Sequence, residues 1–275
     1  MARRMRRRAA ARRRLRSFLS VGAVLVFVAV AGAWGFAGVG SSGGRAARAR
    51  KSPRAVSSHA TTSQSSTTTA TTLPPTPVPI QGGAVAPVIS RVPTPNPVVF
   101  FTIDDGMVRD PAVTDFLRSQ HIPVTMFLLP NFLHEDPAYF DAIHALGASV
   151  QDHTISHGDV RRLGSGQQQR EICGVLDEYG LRFGARPWLF RPPGGFYNQS
   201  TQVIARRCGI RAVVMWRATM NDGRLDVQGG GTLQAGDIIL MHFRPDLRQN
   251  LDVALNAARA AGLQPAALEQ YLTPA

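Results

Sequence analysis

The chain has 275 residues and a formal net charge of +13, with 31 Lys and Arg against 18 Asp and Glu. The charge is unevenly distributed, because residues 1–100 carry 15 basic side chains and no acid, whereas residues 101–275 carry 16 Arg and all 18 acids. A basic excess suggests nucleic-acid binding when it covers a folded surface. Here it lies in the N-terminal part, so we expect no nucleic-acid partner.

The N-terminal segment has the charge pattern of an exported protein. Nine Arg in residues 1–17 precede residues 18–40, which are uncharged and mostly apolar. As a helix this stretch is just long enough to cross a bilayer, and the arginines favour a cytoplasmic N-terminus. A signal peptide is the alternative, because Ala31-Gly32-Ala33 matches a small-x-small cleavage site. We favour a cytoplasmic tail and a transmembrane anchor, with secretion by cleavage near Ala33 as the alternative.

Residues 41–96 are rich in Ser, Thr and Pro and offer little apolar surface to bury. Such a composition does not compensate the entropy lost on ordering, so it predicts a disordered linker. The folded catalytic domain is expected over residues 97–275. Two cysteines, Cys173 and Cys208, lie outside any CxxC pair, which argues against a thiolate metal site. A disulfide and two buried free thiols both remain open.

From Pro97 onwards short apolar runs alternate with helical segments. The predicted strands are residues 98–103, 124–129, 148–151, 187–190, 211–216 and 237–242. The predicted helices are residues 110–120, 135–147, 166–180, 198–209 and 250–262. This alternation predicts a parallel sheet with helices outside it. About 180 residues is short for an eightfold barrel, which typically needs about 250. An incomplete or distorted barrel, or an open doubly wound sheet, fits better.

Polar side chains follow five of the predicted strands. In folds of this kind the chemistry collects at the C-terminal edge of the parallel strands. The candidates at such positions are Asp104, Asp105, His153, Arg191, Asp222 and His242.

The segment "DHTISHGD" contains two histidines, His153 and His157, at a spacing of four. On a helical turn this spacing brings both rings to one side, within reach of one metal ion. With one carboxylate they make a three-ligand set with a fourth position left for water, as in catalytic zinc sites. A bound cation would also offset the repulsion between Asp104 and Asp105. The sequence therefore predicts a divalent metal site.

Five segments together resemble the motifs of a known family. "FTIDDG", "DHTISHGD", "FRPPGG", "MWRATMND" and "IILMH" are similar, in order and approximate spacing, to the five motifs of the polysaccharide deacetylases. This family of carbohydrate esterases includes peptidoglycan N-acetylglucosamine deacetylases, chitin deacetylases and some acetylxylan esterases. The resemblance covers about residues 97–272. It implies an α/β fold, a distorted, incomplete (β/α)7 barrel, and a hydrolase that uses Zn²⁺ or another divalent transition metal.

The resemblance also implies roles for the residues at the strand ends. Asp105, His153 and His157 correspond to the metal ligands of the family. Asp104 corresponds to its general base, and Arg191 to the arginine that pairs with this base.

His242 corresponds to the general acid of the family, and Asp222 to the aspartate that tunes it. Gly194 stands where the family usually has an aromatic residue, and its backbone N–H would face the oxyanion. Trp216 ends a predicted strand, where a core position is favoured and a place at the cleft is the alternative. Two further departures, Thr219 and Gly223, replace an Asp and a Trp of the fourth motif, and both imply a substrate pocket with thinner walls.

The function implied is removal of N-acetyl groups from a cell-envelope polysaccharide, either peptidoglycan or a chitin-like polymer. An O-acetyl esterase on a similar glycan and a wall-binding protein without activity are the alternatives. We expect a monomer with a polysaccharide substrate and a membrane contact through the N-terminal segment.

Overall fold

The computed structural model of the protein describes residues 74–274. The predicted cytoplasmic tail, the anchor or signal segment and residues 41–73 of the predicted linker lie outside the described residues. Within residues 74–274, no helix has the length and apolar character needed to cross a membrane.

The described part of the chain contains twelve strands and seven α-helices. The strands, β1 to β12 in chain order, are Val78–Ile80, Val88–Ile89, Val98–Asp105, Val124–Leu128, Ser149–Asp152, Leu189–Phe190, Ala212–Val214, Ala218–Asn221, Arg224–Val227, Ile238–His242, Gln264–Pro265 and Leu272–Pro274. The helices, α1 to α7, are Pro111–Gln120, Pro130–Glu135, Pro137–His144, Ser165–Cys173, Leu176–Phe183, Gln199–Arg207 and Leu247–Ala260.

The main sheet is a curled half-barrel of parallel strands. Its order is β2-β7-β6-β5-β4-β3-β10-β8-β9, in which every neighbouring pair is parallel except the antiparallel β8–β9 hairpin at one edge. The strand β11 pairs with the start of β3, and β1 pairs with β12 in a separate two-stranded sheet. Because β2 and β9 end the order without pairing to each other, the barrel is incomplete. The predicted distorted (β/α)7 fold is confirmed.

The central strand β3 shows why the sheet is buried on both faces. All eight of its residues are buried, as expected for a parallel strand covered by helices on one side and by the barrel interior on the other. Phe101 and Ile103 pack in the cluster under the helices, whereas Val98 and Phe100 pack in the interior cluster. The C-terminal segment closes that interior with Leu268, Tyr271 and Leu272.

The linker prediction is wrong in its last part, because the fold begins before residue 97. Val78 pairs with Leu272 across β1 and β12, and Ile80 and Val92 are buried in the interior cluster. The prediction relied on the Pro-rich composition of this stretch and overlooked its few apolar side chains, which pack into the interior cluster.

Helix beginnings follow the capping signals in the sequence. The Asp110 carboxylate accepts a hydrogen bond of 2.9 Å from the Ala112 N–H, and α1 starts at Pro111 as predicted. The predicted helix 135–147 corresponds to α3, with Asp136 as its N-cap and Pro137 as its first residue, and it ends at His144; the short helix α2 before it was not predicted. The predicted helix 166–180 is likewise divided, with Gly174 ending α4.

The two cysteines form a disulfide bond, so the alternative of free thiols is wrong. Cys173 ends α4 and Cys208 caps α6, with 5.3 Å between their Cα atoms. The bond joins two helices that already pack against each other and closes a loop of 35 residues, which constrains the unfolded chain.

Candidate active site

The end of β3 explains how two adjacent carboxylates come to face one site. In a regular strand, neighbouring side chains point to opposite faces of the sheet. Asp105 has a φ of 78°, in the left-handed region that costs a non-glycine residue about 1–2 kcal/mol, and it breaks this alternation. Gly106 follows with a φ of 107°, and a Cβ there would lie 2.9 Å from the Phe140 ring. Asp104 and Asp105 therefore both line one cavity.

Asp105, His153 and His157 form a cluster with the geometry of a metal site. The Asp105 Oδ1 lies 3.4 Å from the His153 Nε2 and 3.3 Å from the His157 Nε2. One ligand atom from each residue lies within 4.8 Å of the others. Among the described residues, the buried Asp105 Oδ1 has no hydrogen-bond partner. An orphaned carboxylate oxygen facing two imidazoles fits a cation, and two nitrogens with one oxygen are a donor set that zinc accepts.

The two histidines are brought together by a loop, not by the helical turn that their spacing predicted. Thr154 and His157 both have positive φ values, of 72° and 59°, after the end of β5. The Glu171 carboxylate on α4 holds this loop by accepting hydrogen bonds from the Ile155 N–H and from the backbone and hydroxyl of Ser156. Glu171 escaped the sequence analysis, because nothing along the chain links α4 to this loop.

The hydrogen bond of His153 determines its tautomer. Its Nδ1 lies 2.7 Å from the Arg191 carbonyl oxygen, which can only accept, so Nδ1 carries the proton. Nε2, the ring nitrogen next to Asp105, is then the one left to bind a cation, as metal-ligating histidines require.

The charges within the cluster stabilise one another. Burial alone would raise the pKa of Asp105, but the facing imidazoles of His153 and His157 outweigh it and hold this pKa well below its usual range. The contact with Asp105 raises the pKa of His157, against the effect of burial. The Asp105 carboxylate is therefore ionised and ready to bind a cation.

Asp104 is held by a fully buried arginine. The Arg191 Nη1 donates to the Asp104 Oδ1 at 2.7 Å, and only 2% of Asp104 is exposed. The same guanidinium donates to the Val214 carbonyl at 3.1 Å and lies 4.2 Å above the centre of the Phe127 ring. A buried ion pair is stable only when its remaining polar atoms are satisfied, and these contacts satisfy those of Arg191.

Thr102 completes this arrangement and was missed in the sequence analysis. Its hydroxyl donates to the Ile239 carbonyl at 2.7 Å, which leaves its oxygen to accept from the Arg191 Nη1 at 2.8 Å. The available signal was its position two residues before Asp104, on the same face of an otherwise apolar strand.

His242 ends β10 directly beside Asp104, its register partner on β3. Burial lowers the pKa of His242, although the carboxylates of Asp104 and Asp105 act in the opposite direction. The cavity that it lines measures about 300 Å³ and contains all three members of the metal cluster. Within residues 74–274, the buried Nδ1 of His242 has no hydrogen-bond partner.

The prediction that Asp222 tunes His242 is wrong. Asp222 lies in the exposed two-residue turn of the β8–β9 hairpin, where it and Gly223 have φ values of 49° and 71°. Its backbone N–H donates to the Asp246 carboxylate at 2.8 Å. Asp-Gly is a preferred pair in such turns, so these residues are explained by the hairpin.

The remaining candidates, Gly194 and Trp216, both line the cavity. Gly194 has a φ of 61°, and a Cβ there would approach the Phe196 ring to 3.0 Å. Phe196 is 45% exposed and carries the Arg161 guanidinium 4.0 Å above its ring centre. An aromatic side chain thus lies beside Gly194 although the residue itself has none.

Comparisons with known proteins identify the family of the chain. The family model for polysaccharide deacetylase matches residues 91–213. An uncharacterised protein of Streptomyces coelicolor is 40% identical over 200 residues, which are 70% of this chain and 80% of that protein. A chitooligosaccharide deacetylase of Sinorhizobium fredii is 26% identical, over 64% of this chain and 86% of its own. A peptidoglycan-N-acetylglucosamine deacetylase of Bacillus cereus is 26% identical, over 55% and 75%.

Solved structures show the same fold. A peptidoglycan N-acetylglucosamine deacetylase in complex with an N-oxidanyl-benzamide has a TM-score of 0.61 at 21% identity, covering 70% of this chain and 94% of that one. A family 4 carbohydrate esterase pseudoenzyme from Bacillus anthracis has a TM-score of 0.59 at 18% identity, covering 72% and 70%. On its fold, its sequence relatives and its family match, this chain belongs to the polysaccharide deacetylase family.

Proposed function

We propose that this polysaccharide deacetylase is a metal-dependent hydrolase that removes N-acetyl groups from a cell-envelope polysaccharide, peptidoglycan or a chitin-like polymer. The supporting observation is the convergence of the Asp105–His153–His157 cluster, the Arg191-bound Asp104 and His242 on one cavity of about 300 Å³. Such a cavity is of a size that binds small-molecule groups.

The metal would be held by Asp105, His153 and His157, and Zn²⁺ suits two imidazoles and one carboxylate best. When bound, a divalent cation polarises a carbonyl group and lowers the pKa of water. The second-sphere contacts of this cluster are those that such sites need, since the Arg191 carbonyl orients His153.

Asp104 is the proposed general base. Its Oδ1 is committed to Arg191, whereas its Oδ2 is 3.8 Å from the His153 Nε2 and faces the metal cluster. The guanidinium holds Asp104 in one orientation, so its free oxygen is available to accept a proton from water at the cluster. The backbone N–H of Gly194 is the proposed donor to the oxyanion that forms on the acetyl group.

His242 is the proposed general acid that protonates the departing nitrogen of the sugar. It lies beside Asp104 in the register of β10 and β3, and it lines the same cavity as Gly194. The lowered pKa makes its protonated form a strong proton donor. Trp216 lines the same cavity and offers an apolar surface to the substrate.

Acetate release tests this proposal. The purified full-length chain should release acetate from N-acetylglucosamine oligomers, should lose that activity with a chelator and should regain it with Zn²⁺. Acetylated xylan, which carries O-acetyl esters, is the matched substrate. Turnover of the ester alone would show that the protein is an O-acetyl esterase and not an N-deacetylase. If the Zn²⁺-loaded chain hydrolysed neither substrate, the proposal would be overturned.

A wall-binding protein without activity is the second candidate. It is favoured by the His242 Nδ1, which has no hydrogen-bond partner in the described residues, and by the structural similarity to a protein named as a pseudoenzyme. We place this candidate second because all three presumed ligands and the Arg191–Asp104 pair are in place. Binding of insoluble glycan without acetate release would reverse the order.

The proposed location is the outer side of the cell membrane, with the N-terminal segment as a single-pass anchor, or outside the cell if that segment is cleaved near Ala33. The disulfide Cys173–Cys208 supports an oxidising compartment. Mass determination of the chain recovered from membrane and medium fractions tests this, and an intact chain found only in the cytoplasm would contradict it.

A further inference from the structure

A second, larger cavity adjoins the metal cluster on the side of His157. It measures about 560 Å³, and it shares Asp105, His157 and Arg244 with the first cavity. The two cavities therefore form one groove that passes the cluster, with room on one side for a unit of the polymer next to the one at the metal.

The walls of the second cavity combine apolar and polar groups. Met107 is 50% exposed and Ile155 is 39% exposed, and both line the cavity together with Phe132. Asn131 and Ser156 add polar side chains. Exposed apolar side chains with a few polar groups are typical of a binding surface, and this combination suits a sugar ring with its hydroxyl and acyl substituents.

Arg244 places a positive charge at the junction of the two cavities. It is exposed, it follows His242 by two residues, and its guanidinium makes no hydrogen bond or ion pair to any described residue, although the nearby Asp246 carboxylate is close enough to interact with its charge. By contrast, Arg109 pairs with Glu135 at 2.9 Å and Arg161 pairs with Asp159 at 2.8 Å. An unpaired guanidinium on the wall of a substrate groove is available to the substrate.

We propose that Arg244 binds a carboxylate carried by the sugar that neighbours the reacting N-acetylated sugar, so that the enzyme prefers an acidic glycan to a neutral one. A guanidinium presents a planar pair of N–H donors that matches a carboxylate bidentately. Of the described residues that line the second cavity, Asp105, a member of the metal cluster, is the only one with a carboxylate, and Asp104 on the first cavity is paired with Arg191. This inference rests on the proposed function and narrows its substrate to glycans in which alternate sugars bear a free carboxylate, such as peptidoglycan strands whose lactyl carboxyls carry no peptide.

The test uses two substrates that differ only in charge. One is an N-acetylated oligomer in which alternate sugars carry a free carboxylate, and the other is the same oligomer with each carboxylate converted to a primary amide. Turnover and binding affinity are measured for the full-length chain and for Arg244→Gln, Arg244→Lys and Arg207→Gln. Arg207 is the matched control, because it is an exposed arginine at the end of α6 that lines neither cavity.

The expected result is a kcat/KM about 5- to 10-fold higher for the acid than for the amide, since charged hydrogen bonds at exposed sites contribute modestly. Arg244→Gln should remove this preference, Arg244→Lys should keep part of it, and Arg207→Gln should keep all of it. The preference should weaken with added salt.

Equal values for acid and amide in the wild-type chain, or an acid preference that survives Arg244→Gln, would overturn the inference while leaving the deacetylase intact. The binding measurement separates the two proposals. Acid-selective binding that depends on Arg244, without turnover of either oligomer, would overturn the proposed activity and support the role of Arg244.

Discussion

Arg191 orients His153 through its backbone, because the Arg191 carbonyl oxygen lies 2.7 Å from the His153 Nδ1. Its guanidinium, on the other side of the same residue, donates to the Asp104 carboxylate at 2.7 Å. Arg191, which directly follows β6, thus determines both the tautomer of His153 and the orientation of Asp104. The two contacts are separable by mutation, since a substitution removes the guanidinium and leaves the carbonyl.

We therefore expect Arg191→Met to impair catalysis and folding more than metal binding. Asp104 would be left as a buried carboxylate without its partner, a situation that typically costs about 3–5 kcal/mol of stability. kcat should fall by about 10²-fold or more, whereas the zinc stoichiometry of the fraction that folds should persist, because the His153 contact is a backbone one. Thermal unfolding, elemental analysis and acetate release measure the three effects. Loss of zinc from well-folded Arg191→Met would contradict this separation.

His242 should control the high-pH side of the activity profile. A general acid must hold its proton, so kcat/KM should fall as the pH rises above the pKa of His242. Burial lowers this pKa below its usual value, so the decline should begin at a lower pH than for an ordinary histidine. His242→Gln should lower kcat/KM by about 10²–10⁴ and abolish that limb. A loss smaller than tenfold with the limb retained would exclude His242 as the acid.

Asp152 should make the domain less stable as the pH rises. Burial raises its pKa well above the usual value, and the nearby Glu171 adds to this effect, against a hydrogen bond from the Thr154 N–H. The folded state therefore keeps a proton that the unfolded chain releases above about pH 4, and stability is lost as the pH rises from there through the folded pKa. Asp152→Asn should raise the melting temperature at pH 8 relative to wild type, and this gain should shrink towards pH 4.

The control for this measurement is Asp252→Asn, the same change at an exposed carboxylate on α7. Both variants are compared with wild type in the presence of a chelator, so that metal binding does not contribute. A gain for Asp152→Asn that is the same at pH 4 and pH 8 would show that Asp152 is ionised in the folded state.

The strand ends were the part of the site that the sequence predicted well. Asp104, Asp105, His153, Arg191 and His242 each follow a buried run, and parallel strands bring such positions to one edge. A strand can be recognised from its run of apolar residues, and parallel strands always end at the same edge of the sheet. Both arguments need only the sequence and general geometry.

The contacts that support those residues could not be predicted in the same way. Thr102 and Glu171 act across 89 and 15 or 16 residues of sequence, so only the folded chain brings them to Arg191 and to the histidine loop. The prediction for Asp222 was wrong for a different reason. The pair Asp222-Gly223 matches a position of the family's fourth motif, but Asp-Gly is also a preferred pair in a hairpin turn. Residues 78–96 were misassigned because a Pro-rich composition outweighed a few apolar side chains.

The hairpin position of Asp222 has a direct kinetic consequence. Asp222→Asn keeps the turn, since Asn-Gly is as favourable there as Asp-Gly. Because the side chain does not contact His242, kcat/KM should stay within about threefold of wild type, the range of ordinary surface substitutions, with the high-pH limb unmoved. A loss of about 10²-fold, or a shift of that limb, would restore Asp222 as a residue that tunes His242.

Asp105→Asn, compared with Asp104→Asn, should show which of the two neighbouring carboxylates of β3 binds the metal. The buried Asp105 Oδ1 faces both imidazoles without a hydrogen-bond partner in the described residues. The Asn amide would remove the negative charge that attracts a cation to this position. Tight zinc binding should be lost, by about 10²-fold or more in affinity. Asp104→Asn is the isosteric control one residue earlier. It should keep zinc, because the Asp104 Oδ1 is bound to Arg191 and not to the metal cluster. It should lose turnover, because an amide cannot accept the proton from water. Titration calorimetry with Zn²⁺ reports both, and full zinc occupancy in Asp105→Asn would refute its assignment as a ligand.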